Sequence, residues 1–345
     1  MGFSAPSGTN TFVPNSKLSE ILTIDWARKP SAFPINRYMQ VIPGLDRMIG
    51  YYLRLDPSDN ARLPNANLDD TLWPDGQPAP QGVDNQRLFT FIQYETRRRN
   101  FPYTYGELAA QQSEFDLRKK YASMAAQRAM TARTILAHQA LAGASWGSNT
   151  AAVDGGLLPS GQNFTNGTEQ TPNIKNALLQ AAEAVNKSTV GVINPEDLVL
   201  VISPNLARKM AISQEIHSYL ARNPIALEVL KGSINKKWGL PDELYGFPLV
   251  VEDTVVVQSH KPNTDGSYVM PDDVAYLLSL QGGPLGEAAE MPTTSASLVG
   301  LFFGSELNTE EFHDPKNKLF EGRVYENYQI QLTSPLSAFR LTAVA

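Results

Sequence analysis

The sequence contains no cysteine among its 345 residues, and this absence excludes several kinds of chemistry. Disulfides, thiolate nucleophiles, iron–sulfur clusters and cysteine-ligated zinc sites all require a thiol. The N-terminus also lacks a basic region followed by an apolar stretch, and the longest apolar runs are far shorter than the roughly 18 residues that a membrane-spanning helix needs. We therefore expect a cytosolic protein with no secretion signal and no membrane contact.

Positive charge is scarce over the chain as a whole, because its 29 Lys and Arg are outnumbered by 35 Asp and Glu. A net charge of -6 leaves no surplus of cations for neutralising phosphates, so tight nucleic-acid binding is not expected. The charge is nevertheless unevenly distributed. Residues 44–85 carry seven acids and three arginines, whereas residues 86–141 carry nine bases and four acids, so two neighbouring segments have opposite charge.

The first 46 residues show no sustained apolar period and include five prolines, which favours an extended arm that lies on another surface. Two runs rich in aromatic and β-branched residues follow, at 47–55 and 87–99. The segment between them, 56–86, is dense in Pro, Asp, Asn and Gly. This order predicts a long hairpin with a polar loop. Because a two-stranded hairpin is marginal in water, we expect it to pack against another subunit.

A long helix is predicted after the hairpin. Thr104 with Glu107 three residues later has the spacing of a capping box, and Gly143 is suited to the end of a helix. Leu and Ala recur at steps of three and four between these limits, which predicts an apolar stripe along a helix of about 35 residues. The bases Arg118, Lys119 and Lys120 lie on its other faces.

The remaining sequence has a mixed pattern of helices and strands. A helix is predicted from Thr171, as N-cap, and Pro172 to about Asn186, because both residues suit a first helical turn. Further helices are predicted near 204–221 and 224–231. This part of the chain therefore belongs to the α+β class rather than to a doubly wound fold. The predicted strands lie at 196–203, 247–258, 273–280, 297–304, 323–333 and 339–344.

Motifs for catalysis are present only in unsuitable contexts. The sequence around Ser145, Gly143-Ala144-Ser145-Trp146-Gly147, matches the G-x-S-x-G pattern of hydrolases. That pattern exposes its serine between a strand and a helix, whereas here a helix precedes the serine and a polar loop follows it. The four histidines are scattered, without the spacing that places two ligands on one helix face. We predict no enzyme activity, no metal site and no cofactor.

The order of elements resembles the major capsid proteins of tailed bacteriophages. The similarity is most specific in 196–281, which contains EDLVLVISPNLARKM, YGFPLVVEDTVVVQS and DDVAYLLSL. The resemblance implies the tailed-phage capsid fold, with an extended loop, a spine helix, a peripheral domain and an axial domain. Its implied divisions are 1–46 (N-terminal arm), 47–103 (extended loop hairpin), 104–170 (spine helix and peripheral domain), 171–310 (axial domain) and 311–345 (C-terminal strands returning to the peripheral domain).

By the same resemblance, the chain would form hexamers and pentamers of an icosahedral shell around double-stranded DNA, in a virion capsid assembled in the host cytoplasm. Scaffolding, portal and decoration proteins are its implied partners. The shell would confine the DNA without recognising its base sequence. Some members cross-link a lysine of the extended loop to a neighbour, but this sequence has no lysine between Lys29 and Lys119. We therefore predict a non-covalent shell.

Two other functions remain open at the level of sequence. The shell of an encapsulating nanocompartment resembles the same fold but packages an enzyme, and a serine hydrolase would use Ser145. For the shell, opposite charges predict a contact between the extended loop of one subunit and the spine segment of its neighbour. Reversing the three bases should then weaken assembly in low salt. The residues of this predicted contact are Asp56, Asp59, Asp69, Asp70, Arg118, Lys119 and Lys120.

Overall fold

The computed structural model describes residues 27–54, 73–78, 90–113, 116–222, 238–259, 261, 264–280 and 296–345. The chain divides into two compact units. Unit 1 comprises Met1–Phe33, Arg98–Met130 and Glu306–Glu326, and unit 2 comprises Pro34–Arg97, Thr131–Ser305 and Asn327–Ala345. Among the described residues, no helix has the length and apolar character needed to cross a bilayer.

Helices and strands are numbered here in chain order. The helices are α1 (Glu107–Gln112), α2 (Leu117–Gly143), α3 (Asn173–Ser188), α4 (Pro204–Ile212) and α5 (Gln214–Arg222). The strands are β1 (Gln40–Ile42), β2 (Ile49–Arg54), β3 (Thr90–Glu95), β4 (Arg97–Gly106), β5 (Thr150–Ala152), β6 (Leu198–Ile202), β7 (Glu243–Leu244), β8 (Phe247–Val251), β9 (Val255–Val256), β10 (Ser267–Tyr268), β11 (Val274–Ser279), β12 (Leu298–Phe302), β13 (Asn308–Asp314), β14 (Leu319–Leu332) and β15 (Ala338–Thr342).

A mixed sheet forms the centre of unit 2, with the strand order β5-β15-β11-β6-β8-β7. The pairs β6–β8 and β15–β5 are parallel, whereas β11 is antiparallel to both of its neighbours. Every residue of β6 and β11 is buried. This explains why both strands are continuous apolar runs rather than alternating ones, since both of their faces are covered. Residues of α3 and α4 share one core with these strands.

Helix α3 begins one residue later than predicted and is capped from elsewhere in the chain. Pro172 is at its N-cap position and makes no side-chain cap. Instead, the carboxylate of Glu215, at the start of α5, accepts hydrogen bonds from the backbone N–H groups of Ile174 at 2.9 Å and Lys175 at 3.1 Å. A third donor, the hydroxyl of Tyr245, lies 2.8 Å from the same carboxylate. Glu215 is therefore the buried N-terminal anchor of α3.

The predicted hairpin is confirmed in β2 and β3, which pair antiparallel from Ile49 opposite Glu95 to Arg54 opposite Thr90. Gly50 lies directly opposite Tyr94, and the Tyr94 ring occupies the space that a side chain at Gly50 would need. An aromatic ring over a cross-strand glycine covers the backbone and helps to fix the register. Most of the predicted polar loop, 56–86, lies outside the described residues.

Unit 1 contains part of a five-stranded sheet, of which β4 and β14 pack on the first half of α2. β14 pairs with β13, from Asn308 opposite Tyr325 to Asp314 opposite Leu319, and also with β4. One face of the sheet supplies Tyr103, Tyr105 and Val324 to a core completed by Ala125 and Ala129 of α2. Because alanine side chains are small, the helix can approach the aromatic rings closely. This close packing explains why the stripe predicted from the sequence is rich in alanine.

The long predicted helix is wrong at its start and correct at its end. Residues 97–106 form β4, in which Phe101, Tyr103 and Tyr105 point inward while alternate residues are exposed. This two-residue period outweighs the capping-box spacing of Thr104 and Glu107. A short α1 follows, and α2 then runs to Gly143 as predicted, with 27 residues rather than about 35.

Gly322 in β14 provides a direct test of the packing in unit 1. A Cβ atom added there would overlap the ring of Tyr103, which lies across the strand. We expect Gly322→Ala to lower the free energy of unfolding by about 1–3 kcal/mol, the usual cost of overpacking. Urea denaturation measures this change. Gly143→Ala is the control, because a Cβ there meets no atom within 4 Å; equal stability of the two variants would contradict the packing argument.

Candidate intersubunit surfaces

The β2–β3 hairpin exposes an apolar face. Residues 49, 51 and 53 of β2 share this face with their partners 95, 93 and 91 of β3. Phe91 is 71% exposed and Tyr51 is 66% exposed, and Ile49 and Leu53 are exposed beside them. We call these four residues the hairpin face. Large aromatic and aliphatic side chains grouped on one side of a ribbon are typical of an interaction surface.

The edge of β3 and the opposite face of the hairpin both contact their own unit. The Glu95 backbone N–H donates to Gln329 Oε1 at 2.6 Å, and the Gln331 side-chain amide donates to the Gln93 carbonyl at 3.2 Å. Tyr94 packs against the small core that includes Ile42. These contacts anchor the base of the hairpin, so the hairpin face is presented outward on a rigid support.

The four predicted acids of the extended loop, Asp56, Asp59, Asp69 and Asp70, lie outside the described residues. Residues 73–78 are the part of this loop that the structure describes, and they form a turn. The Gln77 N–H donates to the Pro74 carbonyl at 3.2 Å, and the indole N–H of Trp73 donates to the Gln77 carbonyl at 2.6 Å. The turn therefore satisfies the polar group of Trp73 while its ring stays 66% exposed.

The three predicted bases at the start of α2 have different environments. Arg118 Nε lies 3.1 Å from Glu311 Oε2 of β13, within unit 1. Glu311 also accepts a long hydrogen bond from the hydroxyl of Tyr103, at 3.5 Å. Burial, followed by the nearby Glu311 charge, raises the pKa of Tyr105 to about 12. Arg118 therefore compensates a carboxylate of its own chain, a role that the sequence did not indicate.

Lys119 has an exposed side chain, whereas that of Lys120 is half-buried. The backbone N–H of Lys119 donates to Asp116 Oδ1 at 3.0 Å, which caps α2. Of the three bases, Lys119 is thus the one most suited to meet an acidic partner. The predicted contact between these bases and the loop acids of a neighbour stays a prediction.

The exposed face of the unit 1 sheet carries a series of arginines and aromatic rings that sequence reasoning missed. The guanidinium carbon of Arg323 lies 5.3 Å from the Phe312 ring centre and 5.9 Å from that of Tyr325. That of Arg98 lies 5.5 Å from the same Tyr325 ring. Glu310, directly opposite Arg323, accepts hydrogen bonds from it at 2.6 and 2.9 Å. We call Arg98, Phe312, Arg323 and Tyr325 the arginine–aromatic face.

Ser145 lies just beyond the end of α2 and is exposed. The chain continues from it through turns to β5, so the strand, sharp turn and helix that hold a nucleophilic serine are absent between 117 and 152. Across the described part of the chain, no three His, Asp or Glu side chains are grouped closely enough to hold a metal ion.

No family model and no curated protein sequence matches the chain. Solved structures do. A phage-related protein from Bordetella bronchiseptica RB50 is 13% identical and has a TM-score of 0.61, with 95% of this chain and 96% of that chain covered. The capsid of Cyanophage P-SCSP1u is also 13% identical, has a TM-score of 0.53 and is covered at 94% in both chains.

A further similar structure is that of the SrpI encapsulin complex from Synechococcus elongatus PCC 7942. It is 11% identical, with a TM-score of 0.53 and coverage of 98% of this chain and 92% of that one. At such identities the likeness concerns the fold. The chain has the major capsid fold of tailed bacteriophages, which encapsulins share, and the predicted α+β fold class is confirmed.

Proposed function

We propose that this protein forms a closed shell from many copies of itself and is the major capsid protein of a tailed bacteriophage. The observation that carries the proposal is the match of almost the whole chain to a phage capsid and an encapsulin, each at a TM-score of 0.53, and to a phage-related protein at 0.61. The hairpin face supports it, because an apolar surface held outward on a rigid base requires a partner.

In this proposal the hairpin of one subunit lies on unit 1 of the next. The arginine–aromatic face offers flat rings for apolar contact, and the segment 86–141, which contains Arg98, carries nine bases and four acids. The segment 44–85, with seven acids and three arginines, has the complementary charge. Charge complementarity mainly sets the register and the rate of association, while the apolar contacts supply most of the affinity.

Hexamers and pentamers of this subunit would form an icosahedral shell around double-stranded DNA, in a virion assembled in the host cytoplasm. The net charge of -6 is compatible with this role, because a shell confines DNA rather than binding its phosphates tightly. Scaffolding, portal and decoration proteins are its proposed partners. We propose that the shell is non-covalent, so mature particles should give a single subunit band in denaturing electrophoresis, whereas a ladder of higher masses would refute this.

A nanocompartment shell is the second candidate, because the encapsulin structure covers 98% of this chain. The long polar segment at 56–86 favours the virus. Negative-stain microscopy and native mass spectrometry of the chain, expressed alone and with its genomic neighbours, test both functions. Closed shells, hexamers or pentamers are expected; DNA inside identifies a capsid, and an enzyme inside identifies a nanocompartment. A stable monomer under every condition would refute the shell.

Lys119 tests the charged part of the contact. Lys119→Glu should slow assembly in low salt, because it places an acid where the proposed contact needs a base, and the difference from wild type should shrink at high salt. Light scattering during assembly measures the rate. Arg118→Glu is unsuitable, since it would set two carboxylates together within one subunit. If Lys119→Glu and wild type assembled at the same rate in low salt, Lys119 would not take part in the contact.

We also propose that Ser145 has no catalytic role and belongs to the turn that follows α2. A fluorophosphonate probe, which labels activated serines, should leave the protein unlabelled. Labelling that is lost in Ser145→Ala would instead establish a hydrolase.

A further inference from the structure

Three titratable side chains from distant parts of unit 2 meet in its interior. Tyr38 precedes β1, His138 lies on α2, and Glu252 directly follows β8. Tyr38 and Glu252 are fully buried and His138 is almost so. The Tyr38 hydroxyl donates to Glu252 Oε2 at 2.7 Å and lies 3.4 Å from His138 Nε2. The three side chains therefore form one buried chain of hydrogen bonds.

The direction of these hydrogen bonds assigns the histidine proton. Because the Tyr38 hydroxyl donates its only proton to Glu252, it can only accept from His138, so the imidazole proton is on Nε2. The other nitrogen, Nδ1, is then an unprotonated acceptor. It is buried and has no hydrogen-bond partner within the described structure. A proton added at Nδ1 would create a buried cation whose new N–H has no acceptor.

The surroundings of the cluster offer His138 little compensation for a positive charge. The Tyr276 ring of β11 lies 6.3 Å from the imidazole, and Trp146 stacks on Tyr276. Charge near the cluster comes from Glu252, from Asp253 beside it and from Arg340 of β15, which acts on Tyr276. Burial lowers the pKa of His138 from 6.5 to about 4 and raises that of Glu252.

We propose that Tyr38, His138 and Glu252 form an acid-sensitive latch, which holds the segment Pro34–Ile42 in place at neutral pH and releases it when His138 takes up a proton. Buried Pro34, Ile35 and Met39, the short parallel pairing of β1 with β12 and this cluster all join the segment to the rest of unit 2. The segment directly follows Phe33, and its release would separate β1 from β12.

The sign of the pH effect follows from proton binding. Between about pH 6.5 and pH 4 a released His138 binds a proton and a latched one does not, so acid favours release. Taken alone, protonation of His138 would raise the ratio of released to latched segment about 100-fold from pH 7 to pH 4. Glu252 opposes this, because a carboxyl whose pKa is raised by burial holds its proton better in the latched form.

Hydrogen–deuterium exchange on unassembled subunits tests the latch, and a failure there would leave the shell proposal intact. After correction for intrinsic rates, amides of 38–42 should lose protection from pH 7 to pH 4, by up to about 100-fold, whereas those of α3 should not. His138→Phe, which cannot be protonated, should keep the segment protected at pH 4. Glu252→Gln keeps an oxygen acceptor for Tyr38 and removes the opposing titration, so it should release at a pH no lower than wild type.

Two results would overturn the latch: acid release in His138→Phe equal to wild type, or loss of protection in α3 together with 38–42. If His138→Phe does not fold, His138→Gln takes its place, because its amide donates to Tyr38 and does not titrate. Titration of the wild-type histidines by NMR gives an answer without any variant. A His138 pKa near the ordinary 6.5 would refute the latch, and one near 4 would support it.

Discussion

Replacing Tyr51 and Phe91 together by aspartate should abolish shell assembly and leave the subunit folded. Both rings are exposed, so their loss removes little from the subunit itself. In the proposed shell each ring is buried against a neighbour, and loss of a buried aromatic anchor costs about 2 kcal/mol or more in each interface. Because every subunit of a closed shell repeats the contact, even this modest loss acts on all of the interfaces at once.

The matched control for this prediction is Thr90→Asp. Thr90 is exposed on the same strand as Phe91 but points to the opposite face, opposite Arg54. It adds a negative charge to the hairpin without touching the hairpin face, so its assembly should resemble that of wild type. Electron microscopy and native mass spectrometry show whether each variant forms shells, and far-UV circular dichroism shows whether it is folded. Complete shells from the double aspartate variant would refute the role of the hairpin face.

The sequence predicted those elements whose signals are local. Strands β6, β11 and β12 were expected because short apolar runs bounded by turn residues are typical of buried strands. The hairpin was expected because two aromatic, β-branched runs enclose a segment too polar for a core. The order of these elements led to the capsid fold, which the structure confirms.

The elements that were missed depend on contacts between distant residues. The last residues of β4, 104–106, were predicted to start a helix because Thr104 and Glu107 have capping-box spacing, and only packing against α2 and β14 shows which pattern prevails. Likewise, the ion pair between Arg118 and Glu311 of the same chain was not predicted. No local pattern indicates a partner so far away in sequence.

The candidate site was predicted only in part for the same reason. The hairpin was recognised as an interaction element, but its exposed face depends on the register of β2 and β3. The arginine–aromatic face combines residues of β4, β13 and β14, and the latch joins Tyr38 to Glu252 across 214 positions. A sequence shows that such residues exist, whereas the fold determines which of them meet.

Removing the carboxylate of Glu215 should have the largest effect on the stability of the subunit. Glu215→Ala would leave three donors without their partner, namely the N–H groups of Ile174 and Lys175 and the hydroxyl of Tyr245. Charge-assisted hydrogen bonds to a helix N-terminus are stronger than neutral ones, and loss of the partner of the buried Ile174 N–H adds a desolvation cost. We expect the free energy of unfolding to fall by about 3 kcal/mol or more, measured by urea denaturation of the unassembled subunit.

Glu183→Ala provides the control on the same helix. Glu183 is exposed and pairs with Lys187 one turn later, a surface contact of little consequence for stability. Its variant should denature at the same urea concentration as wild type, whereas Glu215→Ala should denature earlier. Hydrogen exchange shows where the stability is lost. Loss of the cap should expose the amides of the first turn of α3 before those of the central sheet. Equal stability of the two variants would mean that α3 does not depend on Glu215, and that the buried carboxylate does not join α5 to α3 as its hydrogen bonds imply.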